Sequence, residues 1–156
     1  MPTPPDTRLQ ELHLTLPPAP KPVAKYRTAL LVGDLLYVSG HGPLLPDGSL
    51  IKGRVGADLT LEQGQAAARQ VGLAILSTVR ATLGSLNKVQ RLVKTFGLVL
   101  CTPEFTDQPK VVNGFSELMA EVFGDEAGVG VRSAVGTSAL PSGMAVEVEC
   151  VFQVQT

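Results

Sequence analysis

"MAVEVECVFQV", residues 144–154, alternates so regularly that it sets the frame for the rest of the chain. Met144, Val146, Val148, Cys150, Phe152 and Val154 fall on one side of an extended strand. Ala145, Glu147, Glu149, Val151 and Gln153 fall on the other. One face is made for a core, and the other carries two carboxylates in register. Just upstream, "GVGVRSAVG" (128–136) is a run of small and apolar residues that reads as a second strand. Its Arg132 is the one charge between Glu126 and Glu147. A guanidinium does not shed its proton, so burying it unpaired costs several kcal/mol. The "LPSG" between the strands (140–143) reads as a hairpin turn, and if the two strands pair, one glutamate can approach Arg132. Two roles stay open for the pair: an interface ion pair that sets register, or an anion anchor beside a glutamate that handles water.

Further upstream, "YRTALLVGDLLYVSG" (26–40) splits into two apolar runs around Gly33-Asp34, a two-residue hairpin signal. Both runs are apolar on successive residues, so both faces of this hairpin need cover. "HGPLLPDGSLIKGRVGADL" (41–59) is a Gly- and Pro-rich loop with a further turn at Asp47-Gly48. Thr60 and Gln63 have capping-box spacing. Leu61, Ala68, Val71, Ile75, Val79 and Leu83 then form one helical stripe that ends at Gly84. "KVQRLVKTFGLVLC" (88–101) is a strand, with Pro103 ending it. "QPKVVNGFSELMAEVFG" (108–124) predicts a second helix from near Pro109, apolar at Val112, Phe115, Leu118, Met119 and Val122.

The N-terminus differs in kind, because residues 1–25 hold seven of the chain's 12 prolines. Pro5 and Asp6 can start a short helix over "TRLQELHL", with Leu9, Leu12 and Leu14 to dock it. "LPPAPKP" follows as an extended strap. The expected organisation is an arm over 1–25 and a single domain over 26–156. Helices on one face of a mixed sheet, an α+β fold, is the economical arrangement of these elements.

Composition narrows the function. Charged residues make up 17% of the 156, against a usual figure of about 25%. Such a low charge content points to exterior surface covered by other copies of the chain. A net charge of −1 with no Lys/Arg cluster argues against nucleic acid as the main partner. Cys101 and Cys150 sit in apolar runs without metal-ligand spacing and read as buried thiols of a cytoplasmic protein. The N-terminus lacks the apolar stretch of a signal peptide, and no run approaches a membrane span. Only two histidines are present. His13 lies in the arm, whereas His41 follows "YVSG" between two glycines, either an ordinary loop residue or part of a site. A metal site is not supported, and nucleophile and phosphate-loop motifs are absent.

"RSAVGTSALPSGMAVEVE" (132–149), "YRTALLVGDLLYVSGHGP" (26–43) and "VVNGF" (111–115) together resemble the RidA/YjgF/L-PSP family, in a longer branch with an N-terminal arm. The resemblance implies a chorismate-mutase-like α+β subunit with two helices on one face of a mixed sheet, and a homotrimer with clefts between subunits. It further implies hydrolysis of reactive enamine and imine intermediates to 2-oxo acids and ammonia, without a cofactor. Within it, Arg132 corresponds to the arginine that binds the substrate carboxylate. Glu147, fifteen positions on, corresponds to the glutamate that positions water. Tyr26, Ser39 and Gly40 correspond to residues lining the cleft, and Asn113 to the helical asparagine nearby. Two positions depart from the pattern. Ala134 stands where the family has a cysteine, and His41 where it has a glutamine, which places a titratable ring at the cleft mouth. Rival functions are an endoribonuclease or translation inhibitor, and a non-enzymatic carboxylate-binding or chaperone-like trimer.

Overall fold

The alternation at the C-terminus governs the architecture. The computed structural model describes residues 2–156. Its elements run α1 (Pro5–Glu11), β1 (Ala29–Val32), β2 (Leu35–His41), α2 (Leu61–Leu83), β3 (Val89–Leu100), α3 (Gln108–Gly128), β4 (Val131–Thr137) and β5 (Val146–Val154). One mixed sheet has the order β1-β2-β5-β3-β4, with only β3 and β4 parallel. β5 takes the centre, and its Val146, Val148, Cys150, Phe152 and Val154 are buried beneath α2 and α3. The α+β class and the helical face are as the sequence indicates, with α1 of the arm as a third helix.

β4 and β5 do not pair, which corrects the expected hairpin. β3 lies between them, and residues 138–145 carry the chain across its end. The crossing is held by Leu100 N–H donating to Ala145 O and Gly53 N–H donating to Gly143 O. Ser142 and Gly143 turn the chain there with positive φ. A strand with one fully buried face is best placed between two neighbours, whereas β4 buries little and takes an edge.

Local chemistry accounts for the helices. Thr60 and Gln63 form both bonds of a capping box on α2, and Gly84 closes it at φ 86°. α2 buries more than its predicted stripe: Ala67, Ala74 and Leu76 are also covered. Asp107 precedes α3, Pro109 occupies its first turn, and Gly124 breaks it before a last turn to Gly128. Where α2 crosses α3, a Cβ on Gly114 would stand 2.0 Å from the Gln65 carbonyl oxygen, so backbone meets backbone. Gly114→Ala is expected to cost about 1–3 kcal/mol through overpacking, lowering Tm by roughly 3–10 °C in a thermal melt.

The arm divides in two. Leu9 joins the core, and Leu12, Leu14 and Leu16 pack against it. Asp6 accepts from Ser85, and Arg8 Nε donates to Glu121 O at 3.0 Å. α1 spans Pro5–Glu11, three residues short of the expected end, because His13 takes a left-handed φ of 53°. Ser77 Oγ holds Pro17 O, and beyond it the strap runs exposed to Tyr26.

The second face of the sheet is open. A row of paired positions crosses all five strands as Leu30, Tyr37, Val151, Lys94 and Val131. Leu30 is 51% exposed, Tyr37 47% and Val131 67%. The double-sided cover expected for the first hairpin is therefore not supplied by the described residues. Exposed large apolar residues on either side of Lys94 are of the kind that mark contact surfaces.

Candidate functional site

Paired residues in neighbouring strands share a face, so register decides which predicted site residues can meet. Arg132 lies opposite Thr95, and Thr95 opposite Cys150; both of those side chains are buried on the helical side. Arg132 therefore projects beneath the edge of the sheet towards α3. Its Nη1 donates to Ser116 Oγ at 3.0 Å and its Nη2 to Pro109 O at 3.2 Å. No carboxylate among the described residues lies within ion-pair distance of it. A recess of about 240 Å³ adjoins the guanidinium, bordered by Thr95, Asn113, Ser116 and Gly128 to Gly130. Ala134, two residues on, points the same way and packs against the core.

Glu147 lies opposite Leu98 on the open face. It borders a cavity of about 760 Å³ shared with Tyr26, Ser39, Gly40, Phe96 and Glu149. A Cβ on Gly40 would fall 2.9 Å from the Glu147 carboxyl carbon, so the missing side chain is what makes room for this carboxylate. Partial burial raises the Glu147 pKa above its ordinary 4.5, and the charge of Glu149 two residues on raises it further. Ser39 Oγ donates to Arg27 O, leaving its lone pairs free to accept.

His41 departs from the expected cleft mouth. It counts among the residues bordering the cavity, yet its imidazole is buried under the sheet. Nδ1 is 2.6 Å from Ser39 O, and Nε2 is 2.8 Å from Thr78 Oγ1 on α2. The cause is an irregularity in the β2–β5 ladder between Val38 and His41. Strict alternation from the buried Val38 would send His41 outwards; the extra residue turns it inwards and leaves Ser39 and Gly40 beside Glu147. Burial lowers the His41 pKa, with the Ser39 carbonyl opposing the shift. A depressed histidine leaves stability untouched above the unfolded-state value of about 6.5, where both states are neutral. Below it only the unfolded chain takes up the proton, so stability falls as pH falls, by at most about 1.4 kcal/mol per pH unit. Denaturant melts from pH 7.5 to 5 are expected to show this decline in the wild type and a flatter profile in His41→Gln.

The predicted residues thus separate into two groups on opposite faces of one sheet. Arg132, Asn113 and Ala134 belong to the helical side of the β4 edge, and Tyr26, Ser39, Gly40 and Glu147 to the open face. Ser116 and the Pro109 carbonyl, which hold the guanidinium, carry no sequence signal beyond lying on the same helical turns as Asn113. Thr78 is legible only once the position of His41 is known.

The chain is similar to known proteins over nearly its whole length. A family model described as "YjgF/chorismate_mutase-like, putative endoribonuclease" matches residues 6–151. Protein TCP17 of Trypanosoma cruzi is 43% identical over 145 residues, covering 93% of this chain and 91% of its own. A crystal structure of a protein of unknown function from Agrobacterium tumefaciens superposes with a TM-score of 0.89 at 38% identity, covering 97% of this chain and 92% of that one. RidA from the Antarctic bacterium Psychrobacter superposes with a TM-score of 0.62 at 28% identity, covering 88% and 94%.

Proposed function

The chain belongs to the YjgF/RidA/L-PSP family, and from that premise we propose that it hydrolyses reactive 2-imino acids to 2-oxo acids and ammonia in clefts between subunits of a homotrimer. One observation carries the reading: Arg132 and Glu147 occupy opposite faces of the same sheet, each beside its own recess. A ring of copies joined through the open face would bring the Arg132 half of one subunit to the Glu147 half of the next. The exposed apolar row across that face is the surface such a ring would bury.

The chemistry follows from the donors and acceptors. A guanidinium has five N–H donors, and Arg132 uses two of them on Ser116 and Pro109. The remaining N–H groups grip the substrate carboxylate through charge-assisted hydrogen bonds and fix the C=N carbon in place. Glu147 accepts a proton from water as its oxygen bonds to that carbon. That proton passes to the substrate nitrogen, and as the adduct collapses its hydroxyl proton follows by way of Glu147 while the C=O bond forms and the C–N bond breaks, releasing ammonia and the 2-oxo acid. An enamine enters the same route after tautomerising to the imine. Imines are already reactive towards water, so positioning and one base supply what is needed.

The residues favour this reading over RNA cleavage. His13 lies exposed in the arm and His41 has both ring nitrogens engaged, which leaves no histidine pair for acid–base work on a phosphodiester. The test is release of 2-oxo acid from 2-iminobutanoate and 2-iminopropanoate formed in situ. Acceleration over the spontaneous rate supports the proposal; ligand-induced thermal stabilisation without turnover would instead identify a binding protein. A pH profile adds a second check. Glu149 raises the Glu147 pKa, so the acid limb of kcat/KM is expected at lower pH in Glu149→Gln than in the wild type.

A further inference from the structure

Two segments have no part in the steps above: the strap after Pro17 and the long loop over 43–59. Both run to the cavity that Glu147 borders, the strap contributing Pro20 and Val23 and the loop Leu44 and Leu50, with Met144 from the crossing between β4 and β5. We propose that these five residues form a pocket for a large apolar side chain, so that the preferred substrates are 2-imino acids of the leucine or phenylalanine type. The proposal rests on the deaminase reading for its chemistry and adds the substrate class.

Size separates head from tail. The recess beside Arg132 measures about 240 Å³ and sets Thr95, Asn113 and Ser116 beside the guanidinium, with Leu92 and Val129 also in its wall, room for a carboxylate and little more. The cavity on the Glu147 side measures about 760 Å³, inside the roughly 300–1,000 Å³ range of pockets that hold drug-sized ligands. An imine with only a methyl group would leave most of it to water.

The wall is preformed. Gln70 Nε2 on α2 donates to Leu44 O at 2.6 Å, and Ile51 N–H donates to Pro43 O at 3.2 Å. Asp47 Oδ1 accepts from Ser49 N and Ser49 Oγ, fixing the turn. A Cβ on Gly42 would fall 2.5 Å from Met144 Sδ and 3.3 Å from a Leu50 methyl, so both side chains close over the backbone at that glycine. Val23, which follows Pro22 in the strap, is 92% exposed, a large apolar side chain that no described residue covers. The charged residues at the cavity are Lys21, Glu147 and Glu149. This balance gives no advantage to an anionic tail, and the surrounding side chains favour a neutral apolar one.

The experiment compares imines generated in situ from leucine, phenylalanine and alanine by an amino-acid oxidase, using the full-length protein. Expected is a kcat/KM for the leucine- and phenylalanine-derived imines at least about tenfold above the alanine-derived one, with the ratio reduced in Val23→Asp. Equal values, or a preference for the alanine-derived imine, overturn the proposal. In parallel, NMR titration measures binding of 4-methyl-2-oxopentanoate and phenylpyruvate against pyruvate. If no imine is turned over above its spontaneous rate, the deaminase reading falls and binding alone judges the pocket. Tighter binding of the two larger acids then supports it, and affinities no better than that of pyruvate overturn it. A Val23→Asp protein that changes oligomeric mass with unchanged selectivity assigns the surface to a neighbouring copy and likewise overturns the proposal.

Discussion

Arg132→Ala is expected to remove imine hydrolysis almost entirely while leaving the fold intact. Truncating a hydrogen-bonded charge that faces an opposite charge costs about 2–5 kcal/mol, roughly 30- to 5,000-fold in kcat/KM. The fold should not notice, because Arg132 sits on an edge strand and binds no carboxylate of its own chain among the described residues. Ser116 and the exposed Pro109 can turn to water when it is gone. Arg132→Lys is expected to fail nearly as badly. Ser116 and Pro109 O select a planar fork in one orientation, and an ammonium offers a point charge without that geometry. The measurement is kcat/KM for 2-iminobutanoate alongside a thermal melt. A variant that keeps wild-type kcat/KM would remove Arg132 from substrate binding; one that loses several degrees of Tm would make it a structural residue.

That arginine shows how far the sequence reached. Period-two alternation identified β5 and the faces of its residues, because a strand buried on one side cannot slip without exposing its core. Capping and stop signals identified α2 almost to the residue, since they act over a single turn of backbone. Strand neighbours are different. Adjacency in sequence favoured a hairpin between Arg132 and Glu147, yet the choice of central strand is made by burial summed over the whole sheet. The inward turn of His41 has a local cause, one extra residue in the β2–β5 ladder that no period-two count detects. Residues that support others through a single hydrogen bond, such as Ser116 and Thr78, have no pattern to betray them. A motif match names candidates; the face each one occupies is decided by strand register.

The separation of Arg132 and Glu147 leads to the second large effect. Glu147→Gln keeps the shape of the cavity and removes the base, and it is expected to lower kcat by about 10² to 10⁴-fold. Alone, that result would not say whether the glutamate serves the arginine of its own chain. Mixing does. If each cleft takes Arg132 from one subunit and Glu147 from the next, a trimer of Arg132→Ala and Glu147→Gln chains contains clefts in which both wild-type residues meet. Random assembly at equal amounts gives about a quarter of clefts with both residues native, so two inactive proteins should together recover about a quarter of wild-type activity after dissociation and reassembly. A site built within one chain predicts no recovery, because every chain then carries a broken site. The sheet makes the distinction sharp. Arg132 faces α3, Glu147 faces the open side, and β3 stands between their strands, so no side-chain rotation brings them together inside one subunit. Recovery on mixing would establish that the sheet divides the reaction between neighbours; its absence, with each variant folded and trimeric, would remove the shared cleft and the mechanism built on it.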